Sequence, residues 1–119
     1  VSISYLILYL LFIHFVADFI AQSDWMAINK SKRWDALSLH VAVYTVILSI
    51  SIWLILPWKI ALIYGALNGA IHFITDAITS RITSTLWARN KRHWFFVAIG
   101  ADQFLHYFAL IMTYEMLIK

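Results

Sequence analysis

The sequence predicts an all-α polytopic membrane protein, a bundle of four transmembrane helices, and three observations predict it. Of 119 residues, 63% are apolar and 13% charged, against roughly half and a quarter in soluble domains. Mean hydropathy is +0.80. Long apolar stretches recur four times, and most Lys and Arg residues lie between them.

A membrane span needs about 20 apolar residues in a helix, because irregular backbone cannot satisfy its polar groups in lipid. Residues 1–21, 36–56, 58–79 and 94–117 meet that length and together make one four-helix domain over residues 1–119. The first stretch has no basic leader region and no small-x-small cleavage site, so it is expected to be a retained helix. Between the second and third, Leu56-Pro57-Trp58-Lys59 predicts a tight reversal, since Pro ends a helix. The third carries Gly65-x-x-x-Gly69, the small-residue spacing that lets a neighbouring helix approach closely. Residues 80–93 place Arg81, Arg89, Lys91, Arg92 and His93 around Ile82, Leu86 and Trp87, a pattern for an amphipathic segment on the membrane surface.

Orientation follows from the cations. Loops one and three hold Lys30, Lys32, Arg33, Arg81, Arg89, Lys91 and Arg92, while the other side has Lys59 and Lys119. The positive-inside rule then puts both long loops in the cytoplasm and both termini outside, as expected for a multi-pass protein of the inner (plasma) membrane. Trp25, Trp34, Trp58, Trp87 and Trp94 fall at the span ends, where indole rings favour the headgroup zone.

Composition also excludes. Without cysteine there is neither a disulfide scaffold nor a thiolate zinc site. Three Gly and one Pro form no phosphate-binding loop. The net charge of +3 sits in short loops rather than along a face, so nucleic acid is not an expected partner. Membrane lipid is, and four short helices leave a homodimer open.

The chain repeats itself. His14-Phe15-Val16-Ala17-Asp18 returns as His72-Phe73-Ile74-Thr75-Asp76, and Leu39-His40 returns as Leu105-His106. First and second His are 26 residues apart in one half and 34 in the other, the extra residues falling in loop three. This is the pattern of a tandemly duplicated helical hairpin, with its halves related about the membrane normal.

Ionisable residues within a span cost roughly 2.5–3.5 kcal/mol each and mark function by default. Here they are His14, Asp18, His40, His72, Asp76, Asp102 and His106, spread over all four spans. His14/Asp18, His72/Asp76 and Asp102/His106 are each four apart, so both members of a pair share one helical face. The last pair is written in reverse on a helix running the other way. In all three the Asp therefore lies nearer the cytoplasm and the His about 6 Å deeper, at about 1.5 Å rise per residue. The expectation is one polar cluster in the cytoplasmic leaflet, with Gln22, Tyr44, Asn68 and Gln103 close enough to orient it by hydrogen bonds.

Imidazole and carboxylate ligands without sulfur suit a divalent metal such as Zn, Mn or Fe. His14, Asp18, His72, Asp76, Asp102 and His106 are the expected ligands, and His40 is a further ligand or a general base. Three readings stay open. The cluster assists hydrolysis of an amphiphilic, phosphate-bearing substrate, with the loop-three cations clamping its headgroup; it relays metal ions or protons across the membrane; or it is a structural salt-bridge layer that ties the helices together. Haem ligation by the histidines would leave the aspartates unexplained.

At His14 to Gln22 (HFVADFIAQ) and Lys91 to His106 (KRHWFFVAIGADQFLH), the chain resembles a family of small bacterial and phage membrane proteins known only as a domain of unknown function. Its pattern is His-x-x-x-Asp-Phe-x-x-Gln in the first span and Asp-Gln-x-x-His in the last. Here these are His14, Asp18, Phe19, Gln22, Asp102, Gln103 and His106. The resemblance implies that these residues form the working part, and it implies no particular reaction.

Overall fold

The computed structural model describes residues 2–119, and Val1, the first residue of the expected first span, lies outside them. Helix α1 (Ile3–Phe15) starts at Ser2, whose hydroxyl accepts from the Tyr5 amide, and runs unbroken into a π-helical turn, Val16–Ile20. There the Ala21 amide donates to the Val16 carbonyl five residues back, at 2.9 Å. A short helix α2 (Asp24–Asn29) follows, capped by Ser23 and seated by the buried side chain of Met26. Three long helices complete the chain: α3 (Trp34–Trp53), α4 (Trp58–Ala88) and α5 (Arg92–Ile118). Among the described residues there is no strand.

The four spans are therefore present, with shifted edges. The second begins at Trp34 rather than residue 36, and the fourth at Arg92 rather than 94. The third runs on to Ala88, so the stretch expected to lie along the membrane surface is instead a continuation of α4. Nothing in residues 80–88 breaks a helix. Thr85 returns its hydroxyl to the carbonyl one turn back, and the helix stops only where Asn90 takes a left-handed φ of 57°. At about 1.5 Å per residue, 31 residues reach about 46 Å, well beyond a hydrocarbon core of about 30 Å.

Helix α4 is central, packed against α3 on one side and α5 on the other, while α1 lies against α3 and α5. The α3–α4 approach is set by small residues: Gly65 faces Ser49, and Gly69 faces Thr45. Thr45 cannot swing aside freely, because its hydroxyl donates to the Val41 carbonyl at 2.8 Å. Gly69→Ala is thus expected to overpack the seam and destabilise the detergent-solubilised chain by about 1–3 kcal/mol. Gly100→Ala, which meets open space, should leave the thermal midpoint by circular dichroism unchanged.

The bundle is apolar outside and polar within. Phe12, Ile74, Phe104 and Phe108 face outward, whereas the buried set includes four histidines and three aspartates. On the side of this polar layer away from the long loops, Leu10, Leu48, Ile52, Ala61, Tyr64 and Leu110 close the core. Asn68 belongs to that side as well. It donates to Thr113 Oγ1 at 2.8 Å and ties α4 to α5 rather than reaching the cluster.

Candidate metal centre

Helical spacing brings the polar side chains together. His14 and Asp18 leave α1 and its π turn on the inner face, His72 and Asp76 leave α4 one turn apart, and Asp102 and His106 do the same on α5. His40 joins them from α3, and none of the seven is more than 9% exposed. A π turn widens the helix locally and is common at functional sites; here Asp18 lies within it.

Four donor atoms from three segments converge on one point. They come from Asp18, His40, His72 and Asp76, and all lie within 4.8 Å of one another. His40 Nε2 is 2.9 Å from Asp18 Oδ1, 3.3 Å from Asp76 Oδ2 and 3.1 Å from His72 Nε2. His72 Nε2 is 3.3 Å from Asp18 Oδ1 and 3.2 Å from Asp76 Oδ2. Ligands of one ion with bonds of about 2.0–2.1 Å lie about 3.3 Å apart in a tetrahedral set; five of the six separations are near that value, and the sixth, Asp18 to Asp76, is within 4.8 Å. The alignment agrees. Although Asp18 Oδ1 is close to two imidazole nitrogens, it receives no hydrogen bond among the described residues. A buried acceptor without a donor is costly in a salt-bridge layer and ordinary in a metal ligand.

A second group adjoins the first: Asp18, Asp102 and His106, with donor atoms again within 4.8 Å. His106 Nε2 is 3.1 Å from Asp102 Oδ1 and 3.2 Å from Asp76 Oδ1. The His106 ring stacks on His72 with centroids 4.2 Å apart, and His72 stacks on Tyr44 at 3.9 Å. Two residues that the sequence reading does not assign to the centre complete the surroundings. Thr79 donates to Asp102 Oδ1 at 2.5 Å, and Lys30, from the end of α2, reaches Asp76 Oδ2 at 3.2 Å. Thr79 could have been found three residues after Asp76 on the same face; a loop lysine offers no such periodicity.

His14 has a different setting from its repeat partner His72. Its Nδ1 is 2.9 Å from the Tyr44 hydroxyl and its Nε2 is 2.9 Å from Gln103 Oε1. One neutral tautomer satisfies both: the Tyr44 O–H donates to Nδ1, and Nε2–H donates to Gln103. The Gln103 amide then donates to Asp18 Oδ2 at 3.4 Å and to Asp102 Oδ2 at 3.1 Å. His14 thereby belongs to neither donor group and instead steers two carboxylates through Gln103. Orienting contacts of this kind commonly tune metal affinity by about 10–100-fold. Gln22 makes no such contact; its Oε1 is buried without a partner.

The centre opens toward the long-loop end. A cavity of about 70 Å³, lined by Lys30, Asp76, Thr79, Ser80, Thr83, Ile99 and Asp102, leads from it. It shares Lys30, Ser80, Thr83 and Ile99 with a surface groove of about 390 Å³ that adds Ile28, Lys32, Ser84, Trp87 and Phe95. Two of the loop-three cations expected as a headgroup clamp are engaged elsewhere. The Arg81 guanidinium lies 4.3 Å from the Trp34 ring, and that of Arg92 lies 3.5 Å from the Trp87 ring and donates to the Trp87 carbonyl. The lysines of loop one line the groove instead, because α2 folds that loop over the bundle end.

Fold and site together define a multi-pass helical membrane protein with an internal His/Asp cluster able to coordinate a divalent metal. The chain belongs to the family described as "Protein of unknown function (DUF3307)", which matches it over residues 6–119. Neither a curated protein nor a solved structure matches it.

Proposed function

We propose that this protein is a divalent-metal-dependent hydrolase of the inner membrane that acts on an amphiphilic, phosphate-bearing substrate. The convergence of Asp18, His40, His72 and Asp76, whose donor atoms lie within 4.8 Å of one another, is the observation that carries the metal reading. A divalent ion bound there would polarise a phosphoryl oxygen and lower the pKa of a water molecule. Asp102 and His106 are further ligands on this reading, and His14 is a positioning residue acting through Gln103.

The groove supports the substrate class. Lys30, Lys32 and the Ser80, Thr83 and Ser84 hydroxyls offer an anion its partners, while Ile28, Trp87, Phe95 and Ile99 offer an apolar wall to a chain. The cation count of the loops supports a cytoplasmic mouth, with both termini outside. The apolar layer of Leu10, Leu48, Ile52 and Leu110 beyond the centre favours hydrolysis over transport, since among the described residues the buried Asn68 and Thr113 on that side bond to each other rather than extend the cluster.

The test uses the detergent-purified chain. Elemental analysis is expected to find bound metal. Phosphate release from an isoprenoid phosphate or phosphatidic acid should cease with a chelator and return with Mn or Zn, while a water-soluble phosphate monoester is turned over poorly. Absence of metal after loading, or metal flux into liposomes without hydrolysis, overturns the proposal.

A further inference from the structure

We infer that the centre holds two divalent ions, bridged by the carboxylates of Asp18 and Asp76. The inference rests on the metal reading above and goes beyond it in number and arrangement.

The donors do not gather around one point. They fall into two groups, and Asp18 is a member of both. Asp76 belongs to the first group, its Oδ2 3.3 Å from His40 Nε2 and 3.2 Å from His72 Nε2, and its other oxygen Oδ1 lies 3.2 Å from His106 Nε2 of the second. Opposite ligands of a single octahedral ion with bonds of about 2.1 Å are only about 4.2 Å apart. The two groups do not merge even within 4.8 Å. Carboxylates that present one oxygen to each of two histidine-containing groups are the bridging element of di-metal centres in helical bundles.

The sequence duplication leads to the same arrangement. His40 stands 2.9 Å from Asp18, and its repeat counterpart His106 stands 3.2 Å from Asp76, the counterpart of Asp18. The duplication thus pairs one aspartate with one histidine of each half, Asp18 with His40 and Asp76 with His106, at two places in the centre. Around these contacts the halves differ, since Asp102 and Gln103 answer to Ala36 and Leu37 in the first half. His72 serves the first position, whereas its counterpart His14 is held by Tyr44 and Gln103, and Asp102 supplies the second position in its stead.

Charge favours two ions wherever an anion must bind. Asp18, Asp76 and Asp102 with Lys30 carry a formal −2. One divalent ion makes the site neutral, and two make it +2, the complement of a phosphate monoester dianion. Two ions thus give the mouth beside Lys30 the charge that a terminal phosphate group complements.

The experiment loads the purified chain with Mn(II), removes excess by dialysis and combines elemental analysis with electron paramagnetic resonance. Two Mn per chain with an exchange-coupled spectrum are expected. Asp102→Asn should leave one Mn per chain with an uncoupled spectrum, and His40→Ala should do the same from the other position. One Mn per wild-type chain, or two with uncoupled spectra, overturns the two-ion inference and leaves the metal reading standing. No bound Mn, Zn or Fe after loading overturns both. The wild-type stoichiometry decides the matter even where a variant fails to fold.

Discussion

Asp76→Asn is expected to abolish stable metal binding and, with it, metal-dependent phosphate release. Both oxygens of this side chain face imidazole nitrogens, and Oδ2 also receives Lys30. The amide keeps the volume but removes the charge and turns one of these atoms into a donor aimed at nitrogens that need an anion or a cation between them. Loss of an orienting contact costs about 10–100-fold in metal affinity, so loss of a shared ligand should exceed about 100-fold. Titration with Mn or Zn followed by elemental analysis checks it, with circular dichroism confirming that the variant stays helical. A purely structural ion layer makes the opposite forecast: unchanged metal content, and a stability loss of about 3–5 kcal/mol from breaking a buried pair.

Lys30→Ala should separate substrate binding from metal binding. The side chain is 20% exposed and lies at the junction of cavity and groove, its ammonium 3.2 Å from Asp76 Oδ2. Removing it takes away a cation that competes for Asp76, so metal affinity holds or rises. It also removes a charge-assisted hydrogen bond to an incoming phosphate, worth about 1.5–3 kcal/mol, which corresponds to a KM increase of roughly 10–100-fold. Lys30→Arg should recover most of that loss. Metal lost from Lys30→Ala, with KM for the remaining active fraction unchanged, would assign the residue to the architecture of the loop instead.

These two residues show where sequence reading succeeds and where it stops. Asp76 was legible because a carboxylate inside an apolar span has few reasons to be there, and its spacing from His72 is helical. Lys30 reads in the sequence only as a loop charge. Its position over the centre depends on α2, a six-residue helix too short to produce a hydropathy signal. His14 and His72 carry the same motif and look equivalent in the sequence. They differ in the fold because Tyr44 and Gln103, from α3 and α5, engage both nitrogens of His14, while His72 Nε2 is left facing Asp18 and Asp76. His40 had no i+4 partner to classify it and read equally as ligand or base; the structure places its Nε2 among the four converging donors.

By itself the sequence determined the four spans and the placement of His and Asp, four residues apart, on shared helical faces. Lipid leaves the backbone no alternative to helix, and local spacing then decides which side chains share a face. Only the tertiary structure decided which of those side chains share a point. Helix rotation and separation are set by distant packing, such as Gly65 and Gly69 against Ser49 and Thr45. The partition into two donor groups is a relation among four segments that no single stretch of chain contains.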